Sequence, residues 1–222
     1  MDPAEYSKSR RCAGCRLPPS LCICDQIEPV ETPFELILIQ HRSEVRSVSN
    51  TGTIAAAALE PSQRIIYEGT SNPRIEAALA GDGPSLLLYP VPQAREISPA
   101  DLEPGTRLVV LDATWRQARR MYRKLGPLRG CRAVTLPAGT SPRWVLREQP
   151  SPGMLGTAEA IAAAMDALGC TDEAAGLRRT LDLAMPRALH ALAKITLDEA
   201  LDPNFRACAP APPPYPPEQE EE

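Results

Sequence analysis

The run Leu108-Val109-Val110-Leu111 constrains the fold of this chain more than any other feature. Four consecutive apolar residues between polar neighbours read as a buried strand, which needs helices over its faces. The run ends on Asp112, and Ala113-Thr114-Trp115 leads directly into Arg116-Gln117-Ala118-Arg119-Arg120-Met121-Tyr122-Arg123-Lys124-Leu125. At about 100° per residue, Trp115, Ala118, Met121, Tyr122 and Leu125 share roughly a 120° arc, and the basic residues fill the opposite one. Thr114 with Gln117 three residues later forms a capping box, so this amphipathic helix is expected to start at about Trp115. On that arc Trp115 is expected in the core, with a base-stacking platform as the alternative. A carboxylate at the carboxyl end of a strand, beside a helix start, occupies the place where open α/β sheets put their chemistry. The alternative is a structural Asp at a strand–helix turn.

Strand and helix alternate on either side of this unit. Strands are expected over 34–39, 64–67, 86–89, 108–111 and 133–136. Helices are expected over 53–59, 73–79 (opened by Pro73), 115–125 and the Ala-rich 157–168, with 173–201 helical but broken or kinked at Pro186. The order implies an α/β fold, a mostly parallel sheet with flanking helices. Residues 1–9 are expected to be flexible, 10–28 to form a cysteine-rich knob and 29–206 the main domain. The Pro- and Glu-rich 207–222 are expected to be disordered. No stretch approaches the ~20 apolar residues of a membrane span, and the polar start has no signal-peptide core. A cytoplasmic protein with reduced thiols and no membrane contact follows, and no protein partner is indicated.

Net charge is −4, which by itself argues against a nucleic-acid partner. The distribution argues otherwise. Residues 107–147 hold ten basic residues and one acid, Asp112, so this segment carries +9 and the rest of the chain −13. A polyanion responds to the local patch, which makes RNA or DNA a candidate partner. Among arginines, Asp112 is expected to have a depressed pKa. Arg143-Trp144-Val145-Leu146-Arg147 interleaves arginines with an indole, a signature of contact with RNA.

Cys12-x2-Cys15-x6-Cys22-x-Cys24 offers four thiolates, the donor set of a closed tetrahedral zinc site. Regulatory thiols or disulfides are the alternative. Four cysteine ligands leave no open position for substrate, so such a zinc is structural. Cys131, Cys170 and Cys208 carry no pattern.

Asn50-Thr51-Gly52 before a helix suits a backbone turn that approaches a ligand, with the helix N-terminus towards an anion, or a plain capped loop. Tyr89-Pro90 ends another strand. Thr157 is placed to cap the next helix with Glu159 in its first turn, where the helix dipole alone would account for the acid. There is no G-x-G-x-x-G, P-loop or G-x-S-x-G motif.

Taken together, Cys12/Cys15/Cys22/Cys24, His41 and Glu44, Asn50-Thr51-Gly52, Asp112-x-Thr114-Trp115, Arg147-x-x-Pro150 and Thr157-x-Glu159-Ala160 resemble the DTW-domain family of tRNA-uridine aminocarboxypropyltransferases, over roughly residues 10–200. The resemblance implies a SPOUT-like fold with a knotted cofactor site. It also implies transfer of the 3-amino-3-carboxypropyl group of S-adenosylmethionine to N3 of a tRNA uridine, in the variable loop in bacterial-type members, releasing methylthioadenosine. Two positions depart from the family pattern: Gly156 stands where Ser is frequent, and a Tyr-Arg pair before Arg147 is not present.

On this reading Asp112, Thr114 and Trp115 form the catalytic group, with Asp112 as general base for the uridine N3 proton or as a positioning group. Asn50, Thr51, Gly52, Tyr89, Pro90, Thr157 and Glu159 are expected at the donor. Arg116, Arg119, Arg120, Arg123, Lys124, Arg143 and Arg147 are expected at the tRNA. Two alternatives stay open: an S-adenosylmethionine-dependent RNA methyltransferase, and a zinc-bearing RNA-binding adaptor with no catalysis.

Overall fold

The computed structural model describes residues 11–69, 72–144, 146 and 155–205. Arg147 and the expected flexible and disordered ends, 1–9 and 207–222, lie outside the described residues, and the described residues fold around one parallel sheet. Its strands are β1 (Val30–His41), β2 (Leu59–Tyr67), β3 (Ser85–Leu88), β4 (Arg95–Glu96), β5 (Arg107–Asp112) and β6 (Arg132–Thr135). They run in the order β2-β1-β5-β3-β6-β4, every pair parallel.

Successive side chains of a strand point to opposite faces, and the core divides accordingly. Phe34, Leu36 and Leu38 of β1, with Leu108 and Val110 of β5, enter one apolar cluster. Ile37, Ile39, Val109 and Leu111 enter the other. The first cluster is closed by α1 (Gly52–Ala58), α4 (Thr157–Ala167) and α5 (Thr171–Ala191), the second by α2 (Pro73–Leu79) and α3 (Trp115–Lys124). A short α6 (Leu197–Leu201) follows. The cysteine knob belongs to the first cluster, to which it contributes Cys15, Leu17, Leu21 and Ile23, all buried.

The expected elements are present, and their differences have local causes. β2 begins at Leu59, five residues before the expected start, because it is an edge strand whose first half is largely exposed and shows no apolar run. β4 is two exposed residues and carries no pattern. Pro186 does not break its helix: α5 runs through it to Ala191, and the chain turns only afterwards, where Ala193 has φ +56°. A proline removes one donor from the helix ladder.

The capping box of α3 forms as expected: Thr114 Oγ1 accepts from the Gln117 N–H and Gln117 Oε1 from the Thr114 N–H. Ala118 and Met121 are buried in the second cluster, but Trp115 lies at its margin beside Tyr89 and is 44% exposed. The strand ahead of it ends at Asp112, so the first turn of α3 lies past the carboxyl end of β5, where the indole is only partly covered.

Candidate active site

β1 and β5 are neighbours in register, with Gln40 opposite Asp112. Both have the parity of Leu38 and Val110, so both side chains point to the face covered by α1 and α4, away from α3. Asp112 is 3% exposed and its carboxylate is held by three side chains. Oδ2 accepts from Asn50 Nδ2 at 2.5 Å and Gln40 Nε2 at 2.7 Å, and Oδ1 accepts from Thr157 Oγ1 at 2.7 Å. Asn50 is held in turn: its Oδ1 accepts from the Thr53 N–H and hydroxyl, each at 2.9 Å. Arg64 Nη1 donates to Thr53 Oγ1 at 3.2 Å.

The first turns of α1 and α4 meet at this carboxylate. A Cβ on Gly52 would lie 2.8 Å from Asp112 Cγ, so only glycine permits the approach. The anion at the start of α1 is therefore the chain's own carboxylate. Thr51 Oγ1 accepts from the Ala158 N–H at 3.0 Å and ties the two helix starts together. Thr157 does not cap α4. The cap is Gly156, and the Thr157 hydroxyl is spent on Asp112.

These neighbours overturn the expected acidity of Asp112. Desolvation by burial pushes its carboxyl above the usual range, against the pull of Asn50, Gln40 and Thr157, and Glu44 pushes the same way. The arginines of α3 are on the far side of the sheet and do not hold it down.

Glu159 accepts the backbone N–H groups of Arg143 at 2.6 Å, Trp144 at 2.9 Å and Gly156 at 3.3 Å, pinning residues 143–144 to α4. Its own carboxyl is also pushed up by burial, against those donors. A cavity of about 210 Å³ opens over Asp112, lined among others by Asn50, Thr51, Thr114, Trp115, Trp144, Thr157 and Glu159. A second of about 350 Å³ adjoins it through Trp144, Leu155 and Glu159. Trp144 is buried, not displayed between arginines as the interleaved pattern implied. Arg143 lies over its ring at 5.8 Å and pairs with Asp182 at 3.2 Å.

Tyr89 and Pro90 are not among the residues that line the Asp112 cavity. Tyr89 is buried in the second cluster, its ring 6.3 Å from Trp115 and 5.3 Å from Tyr122, while Pro90 is exposed. Gln40, Thr53 and Arg64 are participants that sequence reasoning passed over. Gln40 carried a usable signal, a polar residue at the end of an apolar strand with the parity of its core residues.

The basic segment separates into structural and free cations. Arg107 is buried and donates to the Gly81, Asp82 and Gly83 carbonyls and to Ser85 Oγ. Arg132 pairs with Asp101 and Glu103. Arg116, Arg119, Arg120, Arg123 and Lys124 all lie exposed on α3, with no ion pair among the described residues. With Trp115, the four arginines line a shallow hollow.

In the knob, the four Sγ atoms of Cys12, Cys15, Cys22 and Cys24 lie within 4.8 Å of one another. The closer pairs are at 3.4, 3.5 and 3.8 Å. Tetrahedral zinc with Zn–S of about 2.3 Å needs sulfurs about 3.8 Å apart, so the thiols fit the ion. A Cβ on Gly14 would lie 2.7 Å from Cys24 Sγ, so the turn leaves room for ligands and nothing more. Burial works against ionising Cys12, yet N–H donors of Cys15 and Gly14 and the thiols of Cys24 and Cys22 bring it down to about 6.

The chain matches the family model described as "DTW domain" over residues 9–189. It is 31% identical over 200 residues to the tRNA-uridine aminocarboxypropyltransferase 2 of Drosophila melanogaster, a match covering 86% of this chain and 77% of that protein. The mouse protein of the same name is 29% identical over 177 residues, covering 75% and 59%. The tRNA-uridine aminocarboxypropyltransferase A of Arabidopsis thaliana is 28% identical over 208 residues, covering 76% of each. The chain thus spans less than two thirds of the mouse relative. No solved structure matches it.

Proposed function

Because this chain belongs to the DTW-domain family, we propose that it transfers the 3-amino-3-carboxypropyl group of S-adenosylmethionine to N3 of a uridine in tRNA. The observation that carries the proposal is the buried carboxylate of Asp112, fixed by three neutral donors at the floor of a cavity whose rim leads to an unpaired arginine face. Uridine N3 attacks the γ-carbon of the aminocarboxypropyl group. The carbon–sulfur bond breaks, its electron pair goes to sulfur, and neutral methylthioadenosine leaves. The N3 proton goes to Asp112. A carboxylate raised by burial is a stronger base than one paired with arginine, which suits this step.

Gln40, Asn50 and Thr157 orient the carboxylate, and Gly52 lets the start of α1 approach it. The donor lies along 50–52 and 155–159, where the connections after β1 and β6 converge on the end of β5. A knotted, SPOUT-like cradle at this convergence is part of the reading. Arg116, Arg119, Arg120, Arg123 and Lys124 hold tRNA phosphates. Cys12, Cys15, Cys22 and Cys24 hold zinc, which when bound supplies a rigid crosslink and no reactive position. Among the described residues no helix is long and apolar enough to cross a membrane, and a cytoplasmic site of action belongs to the proposal.

By-product analysis tests it. Protein incubated with tRNA and S-adenosylmethionine is expected to release methylthioadenosine and leave one uridine, expected in the variable loop, heavier by an aminocarboxypropyl group. Release of S-adenosylhomocysteine would make it a methyltransferase. tRNA binding without either by-product would make it an adaptor.

A further inference from the structure

Trp115 is a large indole that the amphipathic pattern of α3 assigns to the core and the fold leaves 44% exposed. It does not stand free, because one side rests on Tyr89, with centroids 6.3 Å apart and planes 30° from parallel. Tyr89 is 8% exposed and braced from behind by Tyr122 at 5.3 Å. The indole is thus backed by one buried and one half-buried tyrosine ring and presents a supported flat surface outward.

Its position is as informative as its exposure. The cavity over Asp112 and the hollow of Arg116, Arg119, Arg120 and Arg123 have Trp115 as their shared residue. The capping box of Thr114 and Gln117 fixes the backbone on which it stands.

We propose that Trp115 is the stacking platform for the acceptor base, with the adjoining phosphates in the arginine hollow and the N3 edge turned towards Asp112. The ligand class is an unstacked pyrimidine nucleotide in single-stranded RNA. Aromatic stacking supplies sequence-tolerant affinity, and the carboxylate beyond the platform selects an edge that carries a proton. This assignment rests on the function proposed above. It makes Trp115 a positioning residue that takes no part in bond breaking.

The chain has two tryptophans, and Trp144 is 4% exposed, so Trp115 is the accessible fluorophore. Titrating the full chain with a tRNA transcript should quench its emission and shield it from acrylamide, and Trp115→Phe should abolish both changes. Trp115→Ala should raise the KM for tRNA by about five- to hundredfold, the scale of one lost base stack, with the KM for S-adenosylmethionine unchanged. Trp115→Phe should recover most of that loss because it restores a ring. The assignment is overturned if tRNA leaves the emission unchanged, or if Trp115→Ala keeps wild-type KM for tRNA. Quenching by tRNA without release of methylthioadenosine would uphold the platform and reject the proposed transfer. The two readings therefore fail separately.

Discussion

Asp112 has three side-chain donors and almost no solvent, and these act on its acidity in opposite senses. Burial prevails. A carboxyl with a native pKa above its unfolded one binds its proton more readily in the folded state. Its contribution to stability is therefore full below the unfolded value of about 3.9 and is lost as pH rises through the raised native value. Asp112→Asn cannot ionise and keeps the shape. Its Oδ1 can face Asn50 and Gln40 while its Nδ2 donates to the Thr157 hydroxyl, which then accepts. The variant is expected to melt above the wild type at pH 7, with the gap closing as pH falls towards 4. Turnover should fall by ~10²-fold or more, the scale of a lost general base. Thermal melts across pH and methylthioadenosine release check the two halves. Near wild-type turnover would make Asp112 structural.

At the scale of elements, α3 is a helix with separate duties on its faces. Ala118 and Met121 hold it to the sheet, and truncating the fully buried Met121 would cost about 2–5 kcal/mol. Arg119 and Arg123 are exposed and pair with no acid among the described residues, and Arg119 makes its one described core contact by hydrogen-bonding the Tyr89 hydroxyl. Reversing both charges should leave the melting temperature nearly unchanged, weaken tRNA binding and flatten its salt dependence. Each lost phosphate contact removes nearly one unit of slope on duplex backbone and somewhat less on single strands. Affinity measured across a salt titration decides it, and an unchanged slope would move the tRNA surface elsewhere. The capping box and the arcs of α3 were legible because both depend on neighbours three or four positions away. The exposure of Trp115 was not, because it depends on where a different element, β5, stops.

At the scale of the whole molecule, the cysteine knob is continuous with the main core. Leu17 and Ile23 are fully buried in the cluster that also holds residues of α1, α4 and α5. Zinc removal should therefore destabilise more than the knob. Stripping the metal with a chelator, or Cys12→Ser, is expected to lower the melting temperature of the entire domain in one transition, because a four-ligand site has no spare ligand. Metal analysis with calorimetry tests this. A zinc-free preparation that melts like the untreated protein would refute the site.

What the sequence alone determined is what local spacing encodes. Apolar runs placed the strands other than β4 and the first half of β2, the arc of about 100° per residue placed α3, and the cysteine spacing marked four thiols as one group. The order of strands and helices was enough to imply a parallel sheet between helices. Which side of that sheet Asp112 faces was decided by tertiary structure. The parity of β5 turns it from the arginines that follow it in the chain to Gln40, Asn50 and Thr157, which are far from it in sequence. Neighbours in sequence told the wrong story about its charge environment. A carboxylate's acidity is set by solvent and by donors within a few ångströms, and only the packed sheet and its two converging helix starts specify those.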